Sequence, residues 1–121
     1  MPPSPKGVRF TKSPPELVER FATVTARHPE LVPRPMFGYP CTFVNGNMAT
    51  GLFSDGWFAR LSPGDLATAH ALPGGGPFAP MPGRAMKGYA LLPPDVVADD
   101  AALDWWLERC IAFTGTLPPK G

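Results

Sequence analysis

Cys41-Thr42-Phe43-Val44-Asn45-Gly46-Asn47-Met48-Ala49-Thr50-Gly51-Leu52-Phe53-Ser54-Asp55-Gly56-Trp57-Phe58-Ala59-Arg60-Leu61 is the stretch that decides the fold. Asn45-Gly46 is a strong hairpin signal, because both residues tolerate the left-handed backbone that a two-residue turn demands. The runs on either side are rich in apolar and β-branched residues, so strands are expected over 41–44 and 47–53. Ser54-Asp55-Gly56 marks a second turn and 57–61 a third strand. Met36 and Phe37 are placed to begin or extend the first of these. The spacing predicts an antiparallel meander.

Working outward, Ser13-Pro14-Pro15-Glu16 has the form of a helix start: Ser13 as cap, Pro14 as first helical residue, Glu16 closing a capping box. Leu17, Phe21, Val24 and His28 recur at helical spacing, and Pro29 disfavours helical geometry at His28, which predicts a helix over 14–27. Ser62-Pro63-Gly64-Asp65 caps a short helix over 63–71. The glycine- and proline-rich stretch 73–83 reads as loop, 87–92 as a strand ended by Pro93-Pro94, and 73–92 can supply one or two further strands. Asp99 or Asp100 caps a last helix over 100–114, with Leu103, Trp106, Leu107, Cys110 and Phe113 as its apolar stripe. Short turns without βαβ alternation give an α+β class: two layers, a central antiparallel sheet with helices packed on one face.

The chain of 121 residues is one domain in size, with a proline-rich arm over 1–12 and the folded part over 13–121. Proline (18) and glycine (13) are abundant, yet 27 residues are Leu, Ile, Val or Phe and the net charge is +1, so a packed core is expected. Lys plus Arg (11) barely exceeds Asp plus Glu (10), which leaves no basic field for a phosphate backbone and argues against direct nucleic-acid binding. The uncharged run 35–54 is as long as a membrane span, but its prolines, glycines and Asn-Gly turn make it a hairpin. Met1 to Phe10, with three prolines and no apolar run, does not read as a secretory signal, and the two cysteines, Cys41 and Cys110, are expected to stay reduced in a cytoplasm.

Catalytic patterns fail one by one. Gly74-Gly75-Gly76 lacks the lysine and helix start of a phosphate loop. Cys41, alternating with Phe43 on an inward strand face, reads as core packing, as does Cys110 in its helical stripe. His28 and His70 with the two cysteines offer no metal-ligand spacing. Asp95, Asp99, Asp100 and Asp104 surround a helix N-terminus, where acids stabilise the dipole. No catalytic residue, metal or cofactor is expected. Two features remain. Arg60 sits in an apolar strand on the face of Phe58, and Arg84 with Lys87 comes from a segment that can fold beside it. Together they would form a small-anion site. Otherwise Arg60 pairs with Asp55, Asp65 or a C-terminal acid, or lies over Phe58. Trp105 stands off the apolar stripe beside Ala101 and Ala112, which fits a contact surface for a protein partner or a second copy, unless a loop or the proline arm covers it.

Three blocks in order carry a resemblance. Met36-Phe37-Gly38-Tyr39-Pro40-Cys41 with Phe43-Val44-Asn45-Gly46-Asn47-Met48 and Arg60-Leu61 form the first. Gly83-Arg84-Ala85-Met86-Lys87-Gly88-Tyr89 is the second, and Leu103, Trp106 and Leu117-Pro118-Pro119-Lys120 the third. From about residue 13 to 120 the chain resembles the N-terminal domain of the TfoX/Sxy family of competence regulators. The resemblance implies an α+β domain, a cytoplasmic bacterial protein and a regulatory, non-enzymatic role through a protein partner, with no catalytic residues to carry over. Full-length regulators of that family add a second, helical domain, and this chain resembles their first half.

Overall fold

The structure, a computed structural model, describes residues 12–36, 38–80 and 83–119. The expected arm, apart from Lys12, lies outside the described residues, as do Phe37, Met81, Pro82, Lys120 and Gly121. In chain order come α1 (Pro15–Thr25), β1 (Val32–Pro33), β2 (Cys41–Val44), β3 (Asn47–Phe53), β4 (Gly56–Arg60), α2 (Pro63–Ala71), β5 (Gly76–Pro77), β6 (Tyr89–Leu91), α3 (Pro94–Val97) and α4 (Asp100–Thr114). The strands form one sheet in the order β1-β2-β3-β4-β6-β5. Every neighbouring pair is antiparallel. The fold is α+β, with a six-stranded antiparallel sheet flanked by helices.

Asn45 (φ 53°) and Gly46 (φ 80°) both adopt the left-handed backbone and close the β2–β3 hairpin. The β3–β4 turn closes at Phe53 and Gly56, with Ser54 (φ 55°) taking the positive dihedral. The caps of α2 and α4 form as expected: Asp65 N–H donates to Ser62 Oγ (3.3 Å) and Ala102 N–H to Asp99 Oδ1 (3.1 Å).

The start of α1 does not. Pro14 precedes a proline, which bars it from helical geometry; its ψ is 141° and the helix begins at Pro15. Ser13 therefore falls one position too far out, its hydroxyl is buried without a hydrogen bond, and the capping box with Glu16 is absent. Pro93-Pro94 repeats the arrangement: Pro93 is extended, and Pro94, expected to end a strand, also opens the single turn α3. The two-residue strand β1 has no counterpart among the expected elements, whereas β5 is a further strand of the kind expected from 73–92, although it lies inside the glycine- and proline-rich stretch.

Consecutive strand residues divide between two faces. Val44, Leu52, Trp57, Ala59, Leu61, Ala90 and Leu92 face the helices and meet Phe21, Val24, Leu103, Trp106 and Leu107. The alanines let the helices approach closely, and the one large ring, Trp57, packs on Phe21 at 4.9 Å and donates its indole N–H to Thr50 Oγ1 at 2.8 Å. Thr114, not Phe113, completes the buried stripe of α4. Between Thr42 and Phe43 the β2–β3 register shifts, so that Ala49 has no opposite residue. The freed Ala49 carbonyl accepts from Cys110 Sγ (3.3 Å), and the same sulfur accepts from the Arg60 backbone N–H. One thiol thus ties α4 to β3 and β4 where their ladder ends.

Cys41, Phe43, Phe58 and Tyr89 lie on the other face. The expected inward face of Cys41 and Phe43 is buried, but under a loop instead of under helices. The segment between α2 and β6 folds back over it and seats Phe78 on Phe58, rings stacked at 4.3 Å and 9°.

Candidate functional site

The loop-covered face holds a partly enclosed crevice of about 550 Å³, walled by Met36, Cys41, Met48, Phe58, Phe78 and Met86 among other apolar groups. Its floor is the register row Cys41–Gly51–Phe58. A Cβ at Gly51 would stand 2.8 Å from both Cys41 Sγ and the Phe58 ring, so this floor needs the missing side chain. Its cover is held by Met86 N–H donating to Phe78 O (2.8 Å) and by the edge-on packing of Phe53 against Phe78 (5.7 Å). Burial pushes the Cys41 thiol up to about 11, against a smaller opposing effect of the Thr42 backbone N–H. That sulfur is a wall atom and not a nucleophile.

Arg60 and Tyr89 continue the same face as opposite residues of β4 and β6. Arg60 Nη1 donates to Tyr89 Oη (3.2 Å), the guanidinium lies over the Tyr89 ring (5.1 Å), and Tyr89 Oη donates to Met48 O (2.9 Å). Burial raises the Tyr89 hydroxyl above its ordinary pKa, with the positive charge of Arg60 acting the other way. The ring under Arg60 is therefore Tyr89 and not Phe58. Among the described residues no carboxylate pairs with Arg60; Asp65, one of its expected partners, binds Arg109 instead. Arg60 Nε is buried without a hydrogen bond. Arg84 and Lys87 are exposed on the segment before β6. Leu61 N–H donates to Gly88 O (3.0 Å), which lays that turn beside the end of β4.

Trp105 is 49% exposed on the outer side of α4. It meets Trp106 edge-on at 4.9 Å, and Arg109 lies over its ring at 4.6 Å while binding Asp65 at 2.9 Å. Ala101 and Ala112 are exposed on the same helix, four residues before and seven after, the spacing of one helical face. Ala112 and Phe113 line a shallow hollow beside the indole, with Ser62 and Asp65 across from them.

One polar cluster escaped the sequence reading. Asp104 does not serve the α4 N-terminus: it accepts from Arg27 Nη2 (3.0 Å) and shares a 2.9 Å hydrogen bond with His28 Nε2, joining the end of α1 to α4. Arg20 similarly reaches Asp100 (2.7 Å) and Val97 O (2.7 Å). His28 with Asp104 has the form of a catalytic pair, but neither thiol serves it. Cys41 points to the other face, and Cys110, fully buried and pushed up to about 12 chiefly by that burial, is bonded between strands. Among the described residues no three His, Cys, Asp or Glu side chains gather as a metal site. No described helix is long and apolar enough to cross a membrane. The crevice was likewise missed, although Trp57 and Phe58 in succession carry its signal: large apolar groups at both parities of a strand mean that both faces are covered.

The family model described as the TfoX N-terminal domain matches residues 19–114. Neither a curated protein nor a solved structure matches the chain significantly. The match spans most of the chain, the whole sheet and the four helices, α1 lacking only its first turn. The chain therefore belongs to the TfoX N-terminal domain family.

Proposed function

We propose that this chain is a non-enzymatic regulatory domain, of the kind that serves competence and transcription control in the TfoX/Sxy family, and that it acts in the cytoplasm by contacting a protein partner. The observation that carries the reading is Trp105. An indole left half exposed on a rigid helix, with an arginine laid over it, has the composition of an interface anchor. Ala101 and Ala112 on the same face would let a partner approach the helix closely. Family membership points the same way, and the buried, raised thiols leave no activated nucleophile. The test is capture of partners from the native cell on the wild-type chain and on Trp105→Ala, with sedimentation velocity on both. Loss of a specific partner, or of a dimer, in Trp105→Ala is the expected result. Identical captures and an unchanged monomer would overturn the reading.

A second reading rests on Arg60, whose charge among the described residues meets a phenol and an aromatic face and no carboxylate, and whose Nε is unsatisfied. With Arg84 and Lys87 it would form a small-anion site. Inorganic phosphate should then raise the melting temperature of the wild type and not of Arg60→Gln. An equal response in both would end this reading.

A further inference from the structure

We infer that the crevice on the loop-covered face is a binding site for an uncharged, apolar small molecule, a hydrocarbon chain or aromatic ring system. The inference goes beyond the proposed function and does not depend on Trp105. Its first support is size. The space is partly enclosed and, at about 550 Å³, lies within the range that accepts drug-sized ligands. Its second support is chemistry. The wall presents only apolar surface. Water held there would find none of the two to four polar partners that an ordered water needs. A charged or strongly hydrogen-bonding ligand would be equally unsatisfied, which sets the class.

The third support is the choice of wall residues. Met36, Met48 and Met86 project into one crevice, from the turn before β2, from β3 and from the covering segment respectively. Methionine has an unbranched, polarisable side chain that reshapes around varied apolar partners. The aromatic groups Phe58 and Phe78 supply flat surfaces at the back, already stacked on each other. The helix-facing side of the same sheet is filled by alanine, leucine and tryptophan without one methionine among its buried core residues. The difference lies in what each face has to accommodate.

The test uses the uncharged dye N-phenyl-1-naphthylamine and protein labelled with ¹³C at methionine methyls. Titration should give saturable, one-to-one fluorescence enhancement, with shifts at Met36, Met48 and Met86. Decanol, an uncharged chain, should displace the dye. Cys41→Phe, which fills the floor, should weaken dye binding at least tenfold, and Trp105→Ala should leave it unchanged. Should Cys41→Phe fail to fold, Met86→Trp in the cover makes the same comparison. Absence of saturable binding, no shift at Met36, Met48 and Met86, or affinity retained in a folded filled variant would each overturn the inference.

Discussion

The two faces of the sheet are built from the same strands and solve burial differently. On the helix side, regular elements meet small side chains at close range, and several buried polar groups of the contact region are paired: Trp57 with Thr50, Thr50 with Phe58 O, Cys110 with Ala49 O. On the loop side a glycine- and proline-rich segment cannot offer a periodic stripe. It contributes single anchors, Phe78 and Met86, between which space remains. A helix can be matched residue for residue to a sheet. An irregular cover leaves gaps that only adaptable side chains or a guest can fill.

The largest expected effect separates the faces directly. Leu107→Ala, at a fully buried position of α4, should lower stability by about 2–5 kcal/mol. Met86→Ala, half-buried in the cover, should lower it by about 1 kcal/mol or less, because a site already bordering open space gains little new cavity. Urea unfolding of both variants measures the contrast; equal losses would break it.

A smaller effect concerns the clamp at the edge of the helix layer. Partial burial by itself would raise the Asp104 carboxyl, but hydrogen bonds from His28 and Arg27 and the Arg27 charge outweigh it and hold the group below its ordinary value. A depressed carboxylate contributes stability that is fully present above its unfolded pKa and is lost as pH falls through the lower folded value. Asp104→Asn should therefore be less stable than wild type above about pH 4 and converge with it in more acid solution. The gap should be about 1 kcal/mol, since Arg27 and Asp104 keep 39% and 29% of their side-chain exposure. Urea midpoints measured across this pH range check it; a constant gap at every pH would assign the clamp to packing and not to charge.

The smallest effect lies in the β3–β4 turn, shared by both faces. Ser54 carries φ 55°, a dihedral that favours glycine, so Ser54→Gly should gain about 0.5–1 kcal/mol. A loss there, read as a lower melting temperature, would show that the serine is held by more than its backbone.

The elements that read well are those whose signals are local. Asn45-Gly46, the caps Ser62 and Asp99 and the three meander strands are written in adjacent residues, and the structure places them as expected. What stayed hidden depends on distant chain. Whether Cys41 faces helix or loop is settled by the path of a segment some forty residues away, because apolar residues at both parities erase the period-two signal. The pairing of Asp104 with His28 and Arg27 joins two helices across the fold, so a reading confined to α4 assigns the acid to its own helix end. The start of α1 failed for a local reason that could have been applied: a proline before a proline is not helical. Of the candidate residues, Trp105 was legible as off-stripe, whereas the partner under Arg60 depended on the β4–β6 register.

Each lateral margin of the sheet consists of a two-residue strand, and each such strand carries a proline, Pro33 at one border and Pro77 at the other. A proline offers no N–H to an incoming backbone, and so short a ribbon gives a foreign strand almost nothing to register against. Growth of the sheet by docking strand upon strand is closed at both borders. Any second molecule must then be met by side chains, on the outside of the helical layer or over the loops.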